Sequence, residues 1–322
     1  MAADKNPAES EPDPSSEPKA PARARMDVRP FLKWPGGKAR LAPEIEKALG
    51  PWLGGRHYIE PFCGAMAVFF HRLSTGTLGD CRVVLADANP NLMILVNMVR
   101  DNVHALIEEL GAFPRGTGWE DNYYAIREAF NADVLQGTTA MSMPIHSARM
   151  MWLNKCCFNG LWRENKRGLM NSPIGSYIRP SIPANQHLKN ASLALQGTIL
   201  RTGDFERSLE LASEGDQVYC DPPYVPRSAT SSFTSYTAGG FNWGDHVRLA
   251  KAAKAAVDRG ARVVLSNHDV SIVRELYKDL GFDFGSLQVR RSISCKGSGR
   301  RERVGELLIW GGMTDRVAYP RH

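Results

Sequence analysis

Five short apolar runs constrain this chain most: "YIEPF" (58–62), "VVLAD" (83–87), "QVYCD" (217–221), "RVVLSN" (262–267) and "ELLIW" (306–310). Each has the length of a buried strand, and helical patterns lie between several of them. "NPNLMILVNMVRDNVHALIEEL" opens on Asn89 as an N-cap with Pro90 in the first turn. Leu92, Leu95, Val96 and Val99 then mark one face. "DHVRLAKAAKAAVDRG" has Asp245 to cap its start and Gly260 to end it; "SIVRELYKDLG" follows the "RVVLSN" run and stops at Gly281. This alternation predicts an α/β fold on a mostly parallel sheet. Such sheets bind ligands in the crevice beyond the carboxyl ends of their strands. Glu60, Asp87 and Asp221 fall there.

The chain has 322 residues, 43% of them hydrophobic, enough for one large domain or two modest ones. It contains no run of about 18 apolar residues, so no membrane-spanning helix is expected. The N-terminus has no apolar stretch of the signal-peptide kind. Residues 1–25 hold five prolines and no Ile, Leu, Val or aromatic, which predicts a disordered tail over 1–28. Six cysteines form no C-x-x-C pair, so neither a metal site nor a disulfide framework is expected, and a cytoplasmic location fits. The formal net charge is +6, and basic residues concentrate late: Arg290, Arg291, Lys296, Arg300, Arg301 and Arg303. That stretch reads either as a solvated hairpin or as a phosphate-contacting loop turned by Gly297 and Gly299. Residues 121–189 interrupt the alternation. Their core, "MMWLNKCCFNGLWRENKRGLMNSPIGSYIRP", reads neither as a buried strand nor as a long amphipathic helix, and an inserted subdomain with loops and a hairpin is expected.

Three motifs frame a candidate cofactor site, and two of them lie where strands end. In "FLKWPGGKARL" (31–41), Gly36 and Gly37 permit a tight turn, Lys38 offers a cation and Trp34 a flat apolar face, but the spacing is not that of a Walker A loop. In "YIEPFCGAMAVFF" (58–70), a strand ends at Phe62 and Gly64 lets the chain turn into an apolar run. About 20 residues past this loop, Asp87 in "VVLADANPN" stands where an acid accepts ribose hydroxyls. A glycine loop and a second-strand acid without a phosphate cradle point to an adenosine cofactor lacking a pyrophosphate.

"CDPPYVP" (220–226) carries the chemistry. Proline fixes φ and removes a backbone donor, so Asp221 sits at a strand end before a stiff loop. Asp221, Pro222, Pro223 and Tyr224 offer a carboxylate, a carbonyl and a ring. An exocyclic amine on a flat base is a poor nucleophile because its lone pair is delocalised. Two acceptors, the Asp221 carboxylate and the Pro222 carbonyl, would bind both amino hydrogens and free that lone pair, while Tyr224 stacks on the base. Such help works only when the acceptors are preorganised. A base treated this way must first leave the duplex stack. His268 in "SNHD" is read as a packing or capping residue, since this transfer needs no histidine base.

The order "FLKWPGGK", "EPFCGA", "LADANPNL", "GDF", "DPPY" resembles the adenine-specific DNA methyltransferases of the Dam type over residues 29 to 310. The resemblance implies a seven-stranded, Rossmann-like S-adenosylmethionine-dependent methyltransferase core. Residues 29–120 and 190–313 would form the catalytic domain and 121–189 a mostly helical and hairpin target-recognition insert. It implies S-adenosylmethionine held by Trp34, Lys38, Phe62, Asp87 and Asp221, with Asp221 to Tyr224 as the catalytic tetrapeptide. The partner is double-stranded DNA, with no obligate protein partner evident. Arg163 matches an arginine that reads a guanine, Phe158 and Asn159 residues that occupy or approach the space left by the flipped base, Leu161 and Pro173 contacts to a thymine methyl, and Lys33 a contact to the outer base pair. Arg290, Arg291 and Arg300 lie in a region near DNA phosphates. Together these imply adenine-N6 methylation in GATC. The chain departs from the pattern at Met66, where the family carries a second glycine, at Cys156 and Cys157, and at Glu164, an acid beside the DNA. Three alternatives stay open: the same chemistry at another DNA site in a restriction-modification or phage setting, methylation of RNA or protein glutamine, and a catalytically silent DNA-binding regulator.

Overall fold

In the computed structural model of the protein, which describes residues 24–139, 141–226, 240–290 and 303–312, the apolar runs become neighbours in one seven-stranded sheet. Its strands are β1 (His57–Glu60), β2 (Arg82–Asp87), β3 (Ile199–Thr202), β4 (Gln217–Cys220), β5 (Arg262–His268), β6 (Asp283–Arg290) and β7 (Arg303–Gly311). Their order is β3-β2-β1-β4-β5-β7-β6. The strands β1 to β5 pair in parallel, and β7 enters antiparallel between β5 and β6. The order reverses between β1 and β4, which opens a crevice at the carboxyl edge between them. The α/β class and mostly parallel sheet expected from the sequence are therefore present.

Alternation along the buried strands divides the interior into two cores. Tyr58, Val83, Leu85 and Tyr219 belong to one. Ile59, Val84, Val218 and Cys220 belong to the other. Strands buried on both faces must be apolar throughout, which is why β2, β4 and β5 stand out in the sequence. The edge strands do not stand out. The residues of β3 are half-buried or exposed, so "ILRT" carries no continuous apolar run, and β6 at the other edge was equally silent. The first strand ends at Glu60 rather than Phe62, because Pro61 and Phe62 already form the turn.

Ten α-helices accompany the sheet: α1 (Ala42–Leu49), α2 (Ala67–Thr75), α3 (Pro90–Asp101), α4 (Val103–Gly111), α5 (Tyr123–Gln136), α6 (Met143–Cys156), α7 (Asn185–Leu195), α8 (Glu206–Leu209), α9 (Trp243–Asp258) and α10 (Ser271–Lys278), counted among the described residues. Asn89 caps α3 as expected, its side chain accepting from Leu92 N at 3.1 Å. The long helical pattern breaks once: Asn102, at φ −144° and ψ 50°, leaves the helical region and separates α3 from α4. Asp245 does not cap α9. The N-cap is Asn242, and Asp245 stands three residues in, completing a capping box.

The largest correction concerns "MMWLNKCC". All of it but Cys157, the C-cap, lies in α6, where ten of fourteen residues are buried. A helix enclosed on every side has no polar face and no 3.6-residue signature. Helix α6 packs beside α3, α4 and α5. Asn154 on α6 accepts from Lys33 N at 2.9 Å and donates to Lys33 O at 2.6 Å, which fastens the "LKW" segment to this helix. The tail residues 1–23 lie outside the described residues.

Candidate active site

The loop after β4 is placed by proline and by β5. Asp221 follows Cys220 at the carboxyl end of β4, Pro222 is buried, and Val225 N donates to Asn267 Oδ1 at 3.1 Å. Ser266 Oγ on β5 donates to Asp221 Oδ1 at 3.0 Å and pairs with the Tyr219 hydroxyl at 2.9 Å. Lys38 Nζ reaches the same Oδ1 at 2.8 Å and is almost buried. Among the described residues no donor meets Asp221 Oδ2 or the Pro222 carbonyl, so both remain able to accept.

Lys38 also ties in a carboxylate that sequence reasoning missed. Its Nζ lies 3.7 Å from Glu306 Oε1, donates to Gly36 O at 2.7 Å and sits 4.6 Å from the centre of the Tyr224 ring. The Tyr224 hydroxyl donates to Glu306 Oε1 in a short hydrogen bond. Burial pushes the Glu306 carboxyl up, opposed by the Lys38 charge. Burial, with the negative charge of Asp221, pushes the Tyr224 phenol up, so it remains a donor. Glu306 arrives because β7 runs antiparallel to β5, pairing Glu306 with His268. An acid opening the run "ELLIW" was the only signal available. His268 stands edge-on to Tyr224 at 5.0 Å and its Nδ1 lies 2.7 Å from Val225 O, so its ring holds the loop.

The loops after β1 and β2 meet beside this cluster. Asp87 is half-buried; its Oδ2 accepts from Gly64 N at 3.0 Å and its Oδ1 from Asn89 N at 2.9 Å. Burial raises its pKa, opposed by these backbone donors. Each oxygen keeps a further lone pair, which suits ribose hydroxyls. Gly64 adopts φ 47°, and a Cβ there would fall 2.9 Å from Trp34, so the loop and the indole are in close approach. Phe62 lies among Phe205 and Phe241, with ring centres 5.3 and 5.8 Å away, an apolar setting for a flat purine. The side chains present thus fit a nucleoside cofactor. Met66 occupies a left-handed backbone, φ 57° and ψ 35°, where the related pattern has glycine. Glu60 lies behind the crevice rather than in it: it is buried, and Tyr58 donates to it at 2.6 Å.

The candidate recognition loop follows α6. Its ends are joined by bridges between Cys157 and Ile174 and between Glu164 and Met170, a loose hairpin. Phe158 is exposed, its N donating to Pro173 O at 2.9 Å. Asn159 is exposed with φ 54°. Gly160, at φ 66°, abuts Lys33, where any Cβ would fall 2.5 Å from that side chain. Lys33 Nζ sits 4.6 Å from the Tyr177 ring centre. Leu161 is half-buried and accepts from Ser172 Oγ at 2.6 Å. Arg163 is exposed, and Ser172 and Asn171 hold its backbone at 3.0 Å each. Among the described residues its guanidinium has no carboxylate partner. Pro173 is exposed. Arg290 closes β6, paired with Arg303, whereas Arg291 and Arg300 lie outside the described residues.

The segment from Lys33 to Lys38 spans both regions. Lys33 and Trp34 touch the recognition loop, Trp34 stacking on Trp162 at 6.4 Å and 17°, while Lys38 holds Asp221. Among the described residues no group of His, Cys, Asp and Glu is placed to hold a metal, and no helix is long and apolar enough to cross a membrane.

Comparison with known proteins agrees with this arrangement. Residues 34–293 match the family model of D12 class N6 adenine-specific DNA methyltransferases. The chain is 39% identical over 294 residues to the Type II methyltransferase M.MjaIII of Methanocaldococcus jannaschii, covering 88% of this chain and 99% of that protein. It is 35% identical over 282 residues to the DNA adenine methylase of Escherichia coli K12, covering 87% and 94%. With a family match that takes in strands β1 to β6, the Asp221 loop and the candidate recognition loop together, the chain belongs to the D12 class N6 adenine-specific DNA methyltransferases.

Proposed function

We propose that the chain methylates the N6 amino group of adenine in double-stranded DNA at GATC, with Asp221, Pro222, Pro223 and Tyr224 as its catalytic residues. The cofactor is S-adenosylmethionine, as membership of the family implies. When bound, it supplies a methyl group on a sulfonium, an electrophile needing no further activation. Asp87 would hold its ribose hydroxyls, with Trp34, Lys38 and Phe62 lining its site.

The observation that carries this reading is the fixing of Asp221 through one oxygen. Lys38 and Ser266 both take Oδ1, which leaves Oδ2 and the Pro222 carbonyl as the acceptors for the two amino hydrogens. Binding both hydrogens disfavours delocalisation of the nitrogen lone pair into the ring. Because the acceptors are already in place, little reorganisation is needed as positive charge develops on nitrogen. Lys38 occupies one face of Tyr224, and the proposal puts the adenine, extruded from the duplex, against the other. No histidine base is required, and His268 is committed to the Val225 carbonyl.

Target reading is assigned to Lys33, Phe158, Asn159, Leu161, Arg163 and Pro173. An exposed arginine with its backbone held on both sides suits a bidentate contact to guanine, worth about 1–3 kcal/mol of discrimination. Arg290, Arg291 and Arg300 are assigned to phosphate contacts, which weaken with salt and carry no sequence information. Residues 121–189 would then act as the recognition unit and the remainder from 29 to 313 as the catalytic unit, at work in the cytoplasm.

Mapping methyladenine at single-base resolution, on unmethylated plasmid treated with protein and S-adenosylmethionine, tests this reading. Methylation confined to GATC supports it. Another adenine site overturns the roles of Lys33, Leu161 and Arg163 but keeps the chemistry. No methylation of DNA, with cofactor bound, supports an RNA enzyme or a silent DNA binder. Arg163→Ala is expected to spread methylation to sites altered at the guanine.

A further inference from the structure

Glu164 is an acid in a loop that would face a polyanion, yet its carboxylate is turned inward. Its Oε1 accepts from Trp162 Nε1 at 2.7 Å and from Asn89 Nδ2 at 2.9 Å. Both partners lead back to the cofactor loops. Asn89 N donates to Asp87 Oδ1, and Asn89 Oδ1 accepts from Leu92 N. The Asn89 side chain is thus held at both ends. Trp162 stacks on Trp34, Trp34 is in close approach to Gly64, and Gly64 N returns to Asp87 Oδ2. The contacts close into a ring: Asp87, Asn89, Glu164, Trp162, Trp34, Gly64. Arg163 lies in the chain between the two loop members of that ring. Trp162 and Glu164 are bonded to each other and back to Asn89, while Arg163 between them is exposed.

We infer that Glu164 is a positioning residue that couples occupancy of the nucleoside site to target reading by Arg163. The inference rests on the proposed role of Asp87 toward ribose. Hydroxyls that donate to Asp87 bear on the two oxygens holding Asn89 and Gly64, and both arms of the ring end at Glu164. Coupling between two sites is reciprocal, so cofactor should tighten target DNA and target DNA should tighten cofactor by the same factor.

Calorimetric titration with S-adenosylhomocysteine tests this, without turnover, in the absence and presence of a duplex carrying the mapped adenine site. The unaltered protein is expected to bind it at least about fivefold tighter with the duplex present. In Glu164→Ala that ratio should fall to about one, while affinity without DNA stays within about threefold, and discrimination against a duplex altered at the guanine should fall too. Glu164→Gln keeps an oxygen that accepts from both donors and should keep the ratio. Asn89→Asp preserves the helix cap but removes the donor to Glu164, and should lose the ratio even if Glu164→Ala fails to fold. A wild-type ratio of one, or an unchanged ratio in Glu164→Ala or Asn89→Asp, overturns the inference. So does loss in Glu164→Gln. Unaltered protein that binds no S-adenosylhomocysteine overturns the cofactor reading instead.

Discussion

Lys38 and Asp221 meet at 2.8 Å, a nearly buried ammonium from the first glycine turn against the carboxylate that follows the fourth strand. The pair joins distant parts of the chain and fixes one oxygen of Asp221. Asp221→Ala is expected to lower the single-turnover methylation rate by roughly a hundredfold or more while leaving cofactor affinity largely intact, as for removal of a preorganised electrostatic partner. Lys38→Met should slow the same step to a smaller extent, since Ser266 still donates to Asp221. Rapid-quench measurements with labelled cofactor would check both. Near-normal turnover in Asp221→Ala would remove that residue from the chemistry.

Glu306 is the acceptor for the Tyr224 hydroxyl and a second carboxylate on Lys38. Glu306→Ala leaves the hydroxyl of a half-buried tyrosine without its acceptor, at a cost toward the lower end of about 1–3 kcal/mol. The urea midpoint should fall and the methylation rate with it. Glu306→Gln retains an acceptor and should recover most of the stability. Equal midpoints for the alanine variant and the unaltered protein would refute this account.

Met66 tests which of two opposing effects is larger. Its left-handed backbone costs about 1–2 kcal/mol relative to glycine, so Met66→Gly relieves strain. The side chain is also buried, at 1% exposure, and truncating a buried large residue costs about 2–5 kcal/mol. Packing exceeds strain, and Met66→Gly is expected to destabilise the protein despite restoring the glycine of related loops. Chemical denaturation decides the sign; a stabilised variant would mean the loop repacks.

Glu60 makes stability depend on pH. Burial pushes its carboxyl up to about 8, against the Tyr58 hydrogen bond and the Arg72 charge. The folded protein therefore keeps a proton that the unfolded chain releases near the ordinary glutamate value of 4.5. The resulting stability is fully present below that value and is lost as pH rises through about 8. Between those limits the unfolding free energy should decline with pH, and Glu60→Gln should flatten the decline. Parallel profiles for the two proteins across that window would show that Glu60 titrates normally.

Where a segment's neighbours in sequence are also its determinants in space, the sequence was sufficient by itself. Strands β2, β4 and β5 are buried on both faces, so their apolar runs declared them. Asn89 beside Pro90 declared the start of α3. The prolines after Asp221 declared a rigid loop at a strand end, and the ordered motifs declared the family. Tertiary structure decided the rest, because burial and pairing are properties of the assembled chain. Helix α6 lost its periodicity by being enclosed on all sides. The edge strands β3 and β6 carry no continuous apolar run because their faces are only partly covered, leaving most of their described side chains half-buried or exposed. Glu306 reached Tyr224 and Lys38 only because β7 runs against β5, and Glu164 turned from the loop surface toward Asn89 only because α3 begins there. No spacing in the sequence encodes either meeting; both follow from where the folded sheet sets its strand ends.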